Sequence, residues 1–423
     1  MTWQSLLTGE QRDAALAAAR AIADGLADPD TPWLAGNGSD HARTQSASLG
    51  MGRAGVAVTL GYLSLAGIDQ AGDARRLISD AADTIAAVVM GPSFYGGFSG
   101  VAWALGQLDE WEIARAGNGT FASLDAALAR FLDRDDWPWH VDVVSGLAGF
   151  LVYALSRLPS ADARAAIGAI VRLLEARAVE LPNGISWLLP PSLLSVATRE
   201  AAPQGCFNLG VAHGTAGVIA ALSEVKRSGI EVERVRRLVE RAVDWLLDSR
   251  LDGSWNFPPM NGPEVRIKPA RLAWCYGTPG IAAVLLRAAK AFERSDWRDA
   301  ALQIGTWAAS RPADESGVVD AAFCHGSAGL GHVFNRLWQE TGDDRFAAAA
   351  REWFGRALAA REAGEGIGGY RTNETTTVGD VVWTPEAGLV YGAAGIAAAL
   401  AAACSDVEPR WDAVFLLSDA RRG

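Results

Sequence analysis

Ala212-His213-Gly214-Thr215-Ala216-Gly217, running on into Val218-Ile219-Ala220-Ala221-Leu222, is one copy of a unit that this chain repeats seven times. In each copy a Gly-x-x-Gly tetrad leads into a small or apolar run. The tetrads begin at Gly52, Gly97, Gly146, Gly214, Gly277, Gly326 and Gly392. A nearly continuous apolar run belongs to a helix buried on most sides. The intervening segments are longer, Arg-rich and amphipathic, near residues 11–27, 74–89, 124–134, 160–180, 234–250, 297–310 and 345–362. Within 160–180, Ile167, Ile170, Val171 and Leu174 keep the i, i+3, i+4, i+7 spacing of one helix face. Seven buried helices alternating with seven amphipathic ones predict an all-α fold, an α/α toroid of two concentric rings. Repeats override the expectation of several domains that 423 residues would otherwise raise, so a single domain over 1–423 is expected.

Glycine at both tetrad positions suits a turn of positive φ and a close approach of backbones. Each tetrad opens a helix, whose first amides point into the loop. Seven such ends on one rim would make it mildly electropositive, a natural place for thiolates, a metal and an anionic intermediate. The tetrads are spaced by 45, 49, 68, 63, 49 and 66 residues. The long intervals hold irregular Pro- and Gly-rich stretches at 181–207, 251–269 and 364–385. Loops of this length in a compact protein are often lids or substrate-binding surfaces. A small β element is expected within 364–385.

Bulk composition narrows the function classes. A net charge of −11 disfavours non-specific nucleic-acid binding. No run of about 18 uncharged apolar residues is found, which argues against a membrane span. Met1-Thr2-Trp3-Gln4-Ser5 has neither a basic flank nor an apolar core, so no secretory signal is read there. A cytoplasmic protein is expected. Its four cysteines, Cys206, Cys275, Cys324 and Cys404, then read as reduced thiols rather than as a disulfide framework.

Three loops carry chemistry. The fifth reads Trp274-Cys275-Tyr276-Gly277 and the sixth reads Phe323-Cys324-His325-Gly326. A lone cysteine in an Ala-rich chain is usually a small buried hydrophobe, and a Cys-His pair alone means little. Their return beside the same glycine in successive repeats shifts the balance to a metal site. Thiolate and imidazole ligands point to zinc, and three protein ligands leave a fourth position open, as in catalytic sites. His213 precedes the fourth glycine and is a candidate acid/base. A fourth zinc ligand or a loop-capping histidine are its alternatives. Asp142, four residues before Gly146, could orient His213 or merely cap a turn. Arg271, four residues before Cys275, could stabilise an enolate or be one more solvated arginine. Cys206 and Cys404 read as core residues. His332 either packs or lines the barrel, and Tyr276 either donates a hydrogen bond near the metal or packs under its loop.

Taken together, Trp274-Cys275-Tyr276-Gly277, Cys324-His325-Gly326 and Ala212-His213-Gly214-Thr215-Ala216-Gly217 resemble the lanthionine synthetase C-like family, over nearly the whole chain. The resemblance implies zinc held by Cys275, Cys324 and His325. It implies an acid/base role for His213, with Asp142 and Arg271 as its active-site partners. It implies a cyclase that adds a cysteine thiol of a dehydrated precursor peptide to a dehydroalanine or dehydrobutyrine, giving lanthionine or methyllanthionine. A stand-alone cyclase is expected, with dehydration supplied by a separate dehydratase, and a peripheral place in a membrane-associated complex is compatible with that reading. Two other readings stay open. One is a glutathione- or peptide-binding relative without cyclase activity. The other is a prenyltransferase-like zinc enzyme that alkylates thiols, which would be expected to put an Asp among the ligands.

Overall fold

The computed structural model describes residues 2–28, 39–117, 119–375 and 380–420. Its helices in chain order are α1 (Gly9–Ala27), α2 (Asp40–Ala47), α3 (Arg53–Leu65), α4 (Ala71–Ala87), α5 (Phe98–Glu110), α6 (Thr120–Leu132), α7 (Leu147–Ser156) and α8 (Ala161–Arg177). They continue as α9 (Val196–Ala201), α10 (Thr215–Arg227), α11 (Val232–Asp248), α12 (Thr278–Phe292), α13 (Ser295–Ala309), α14 (Ser327–Thr341), α15 (Asp344–Ala359) and α16 (Ala393–Cys404). Short strands fall in the three long intervals. They are β1 (Val179–Leu181), β2 (Gly184–Ser186), β3 (Leu188–Leu189), β4 (Cys206–Asn208), β5 (Met260–Asn261), β6 (Thr372–Thr375) and β7 (Val381–Thr384). β1 pairs with β2, β4 lies between β3 and β5, and β6 pairs antiparallel with β7. The β element expected within 364–385 is therefore present, with residues 376–379 outside the described residues.

Hydrophobic pattern decides which helix is buried. Every residue of α7 and of α16 is buried. By contrast α11 buries only one stripe, including Val235, Leu238, Val239, Ala242 and Leu246. That is the alternation read from the sequence. The chain divides into two compact units, and each is described on its own. The first comprises Met1–Gly91, Tyr95–Thr120 and Ala313–Trp411. Within it the buried helices pack side by side in the order α14, α16, α3, α5. The amphipathic α15, α1 and α4 lie against α14, α16 and α3. The N-terminal segment is pinned to α16: the Trp3 indole donates to the Ala402 carbonyl at 2.9 Å, and the amides of Leu6 and Leu7 donate to Ala403.

The second unit comprises Pro92–Phe94, Phe121–Pro312 and Asp412–Gly423. Here α7, α10 and α12 pack in sequence, backed by α8, α11 and α13. Arg287 of α12 is almost fully buried and bonds both Glu224 of α10, at 2.5 Å, and Asp419, at 2.8 Å. A buried arginine needs this pairing, because an uncompensated charge there costs several kcal/mol. The pairing fastens the C-terminal segment to the unit.

The seven tetrads all sit at helix starts. Gly52, Gly97, Gly146, Gly214, Gly277, Gly326 and Gly392 are the N-caps of α3, α5, α7, α10, α12, α14 and α16. Their φ angles run from −103° to −137°, extended backbone open to any residue. The expected positive φ is thus not the reason for glycine. Close approach is. A Cβ on Gly214 would lie 2.2 Å from the carbonyl oxygen of Asn208, and one on Gly329 only 1.7 Å from that of Phe323. The turn folds back on its own helix start, and only hydrogen fits. Gly329→Ala is expected to destabilise the protein by about 3 kcal/mol or more in urea unfolding. Gly72→Ala, in α4 with nothing within 4 Å of its added Cβ, should be neutral or stabilising. Equal effects from the two would contradict this steric explanation.

Neighbouring loops are also tied by backbone hydrogen bonds. In the first unit Cys324 donates to Val390, Val390 to Gly50 and Gly50 to Tyr95, at 2.9–3.0 Å. In the second, Val143 donates to Ala212 and Ala212 to Cys275, at 3.3 and 3.2 Å. The residues before each tetrad therefore sit on a hydrogen-bonded frame rather than on independent loops.

Candidate functional site

Position in the loop sets each residue's task. Cys275 and Cys324 occupy the place two residues before the tetrad, where the backbone frame runs. Both are buried, at 4% and 3% exposure. His213, Tyr276, His325 and Tyr391 occupy the next place. His213 is thus the counterpart of His325 rather than of the cysteines. Aromatic rings at this place meet in pairs. His213 stacks on Tyr276 with ring centroids 5.8 Å apart, and His325 lies at the same distance from Tyr391. Tyr391 carried no signal beyond its place in the repeat.

One candidate ligand atom from each of Cys275, Cys324 and His325 lies within 4.8 Å of the others. Two thiols and an imidazole suit a borderline-soft ion. Tetrahedral zinc, with Zn–S of about 2.3 Å and Zn–N of about 2.0–2.1 Å, holds its ligand atoms some 3–4 Å apart. The donor set thus suits a zinc ion, and three protein ligands leave the fourth tetrahedral position to a further ligand.

His213 and Asp142, 71 residues apart in sequence, meet directly. The ring Nδ1–H donates to Asp142 Oδ2 at 2.7 Å. That leaves Nε2 of the neutral ring as the nitrogen able to take or give a proton. The other carboxylate oxygen of Asp142 accepts from the Ser145 amide at 2.8 Å. Asp142 is therefore both a turn cap and a histidine partner, the two readings its position allowed. His140 adds a second ring, with Nδ1 3.7 Å from the same Asp142 oxygen. Burial pulls the His213 pKa down, but the hydrogen bond and charge of Asp142, helped by Cys275, outweigh it, and the net shift is upward. Gly210 brings the two loops together: a Cβ there would lie 2.2 Å from the Cys275 carbonyl oxygen.

Replacing Asp142 with Asn is expected to lower the His213 pKa, read by NMR titration of the imidazole. The sign for stability follows. A raised folded-state pKa stabilises below the unfolded histidine value of about 6.5 and is lost as pH rises through the folded value. The variant should therefore lose more thermal stability relative to the parent at pH 5 than at pH 9. An unchanged titration would show that Asp142 does not hold the ring.

Arg271 is exposed, and no carboxylate pairs with it among the described residues. Its place, six residues before the tetrad glycine, is informative. Asn208, Asp320 and Glu386 stand at the same place in their loops and accept the amides of Gly210, Ala322 and Gly388, at 2.9, 3.1 and 2.9 Å. Arginine has no acceptor, so Arg271 cannot cap its turn as these do. The remaining candidates are core residues. His332 is fully buried among Trp3, Phe323 and Trp411. Cys404 is buried, its thiol pushed up to about 12 by burial, and Cys206 packs with Leu194 and Ala202.

The family described as lanthionine synthetase C-like protein matches residues 43–416. The chain belongs to this family. Two curated relatives match shorter stretches. The nisin biosynthesis protein NisC of Lactococcus lactis subsp. lactis is 27% identical over 47% of this chain and 50% of its own length. The glutathione S-transferase LANCL1 of Danio rerio is 28% identical over 32% of each chain. This chain thus covers half or less of the length of these relatives. Among solved structures, a nisin cyclase aligns over 89% of this chain and 93% of its own, with a TM-score of 0.72 at 20% identity. The shared fold is the all-α α/α toroid predicted from the repeats. No helix among the described residues is long and apolar enough to cross a membrane.

Proposed function

We propose that this chain is a zinc-dependent lanthipeptide cyclase. Above all, the reading rests on the convergence of Cys275, Cys324 and His325, a three-ligand set that leaves a tetrahedral ion one position for a substrate thiol. Family membership and the likeness to NisC support it. When bound, zinc would hold an incoming cysteine thiol as its thiolate at neutral pH.

This chain's own residues would do the rest. The sulfur of a peptide cysteine adds to the β-carbon of a dehydroalanine or dehydrobutyrine in the same peptide. One C–S bond forms, and the alkene electrons move onto the carbonyl as an enolate. His213, charged and paired with Asp142, gives the Nε2 proton to the α-carbon. Asp142 keeps the ring oriented and stabilises its cation. The thiol's own proton leaves as the thiolate forms, so protons balance over the cycle. Arg271 is assigned to the enolate oxygen. Holding both reacting groups in one site supplies proximity, which alone can remove several kcal/mol of barrier.

The substrate would be a dehydrated precursor peptide, delivered by a separate dehydratase, and a cytoplasmic setting suits these reduced thiols. Ring closure is mass-neutral, so the assay counts thiols. A dehydrated peptide is incubated with the protein, alkylated with N-ethylmaleimide and weighed. Loss of alkylatable thiol supports the cyclase; full alkylation after long incubation overturns it. The likeness to LANCL1, a glutathione S-transferase, favours one alternative, in which the thiol is glutathione and the product an intermolecular conjugate. With glutathione added to the incubation, the same mass measurement separates the two, because conjugation adds the mass of glutathione.

A further inference from the structure

An apolar strand edge belongs to the hairpin that is bonded to the segment leading into the Cys324–His325 loop. β7 carries Val381, Val382 and Trp383 at 59%, 37% and 48% exposure. Its partner β6 is tied to two tetrad loops. The Asn373 amide donates to Asp320 Oδ2 at 3.2 Å, and the Thr372 hydroxyl donates to the Tyr391 carbonyl at 2.7 Å. The other Asp320 oxygen caps Ala322, two residues before Cys324. One carboxylate therefore joins the hairpin to the loop of the candidate ligands.

The pairing register says what the edge offers. Asn373 faces Trp383 and Thr375 faces Val381. Because the Asn373 amide points away from β7, towards Asp320, this pair is a non-hydrogen-bonded one. Pairs alternate along an antiparallel ladder, so the amides and carbonyls of Val381 and Trp383 point outward. Among the described residues no backbone group bonds this outer edge. Trp383 also lines a cavity of about 390 Å³, together with Val319, Tyr370 and Arg371. Tyr370 is buried, and its buried hydroxyl has no hydrogen-bond partner among the described residues. Val319, at 56% exposure, extends the apolar surface towards Asp320. An exposed apolar edge of this kind is a template for an added strand.

We propose that the outer edge of β7 docks an extended segment of the peptide substrate as an added strand, with an apolar side chain against Trp383 and Val319. This rests on the cyclase reading for the identity of the occupant. An unfolded peptide supplies both the unpaired backbone and the alternate side chains that strand addition uses. Trp383 shares its cavity with Val319, Asp320 and Ala321, which lead into the Cys324 loop, so the side chain docked against Trp383 lies on the surface that continues to that loop.

The test uses the full chain with a fluorescein-labelled, dehydrated, cysteine-containing peptide. Binding is read by anisotropy, ring closure by thiol alkylation, and folding by thermal melting, for the parent, Trp383→Ala and Val381→Pro. The proline removes only an outward amide. Each variant is expected to raise both Kd and KM about tenfold, with kcat within about twofold and zinc content unchanged. Trp383→Ala carries the test by itself if the proline variant does not fold. Unchanged Kd and KM in folded variants overturn the proposal, as does a parent that binds no peptide. Loss of self-association with unchanged peptide affinity also overturns it and gives the edge to a second copy. A parent that binds peptide, weakened by Trp383→Ala, but closes no ring supports docking while refuting the cyclase reading.

Discussion

Cys324→Ala is expected to lose both its zinc and its ring closure, with activity falling about 10³-fold or more. Two losses combine. A free thiol, with a pKa near 8.5, is only a few per cent thiolate at pH 7. The variant also gives up the positioning that makes the addition effectively intramolecular. The substitution itself is small: Cys324 is 3% exposed and sits on the loop frame through its backbone amide, which alanine retains. The fold should therefore survive, as thermal melting would confirm. Metal analysis and thiol alkylation on one preparation check the result. A folded variant that keeps full zinc shows that Cys324 is not a ligand. One that loses zinc but closes rings at the parent rate makes the metal irrelevant to catalysis.

His213→Ala should separate from this cleanly. It is expected to retain zinc while kcat falls about 10²–10⁴-fold, the range over which a positioned acid or base acts. The reason is geometric. Asp142 holds the imidazole through Nδ1 at 2.7 Å, so Nε2 alone is left to exchange protons. KM should move little, because the ring acts on the α-carbon in the transition state rather than on peptide binding. Steady-state kinetics with metal analysis decide the matter. If zinc disappears with His213, the histidine is a ligand and the acid/base assignment falls. If kcat is unchanged, proton transfer lies elsewhere, and His140, 3.7 Å from the same carboxylate, becomes the next candidate.

The fold was legible because the repeats are covalent facts. Gly-x-x-Gly followed by an apolar run marks each buried helix, and all seven first glycines are helix N-caps. The cause of those glycines was legible in half: of positive φ and close backbone approach, only the second holds, and which backbone each turn folds against needs coordinates. Cys275, Cys324 and His325 could be picked out because repeat position makes distant residues equivalent. The His213–Asp142 contact spans 71 residues, so spacing could only suggest it and family resemblance supplied the rest. Asn208, Asp320 and Glu386 as turn caps went unread, although they too share one repeat position. Asp320 matters most of these, because its second oxygen holds the β6–β7 hairpin. Its carboxylate carries no sequence signature of that bond.

The most direct measurement removes and returns the metal in the unaltered chain. Zinc is quantified in the purified protein, stripped with a chelator and added back, and ring closure on a dehydrated cysteine-containing peptide is followed at each stage. The expected result is about one zinc per chain, with cyclisation lost on stripping and restored by zinc. A protein that never holds zinc, or that closes rings as fast without it, would contradict the central claim.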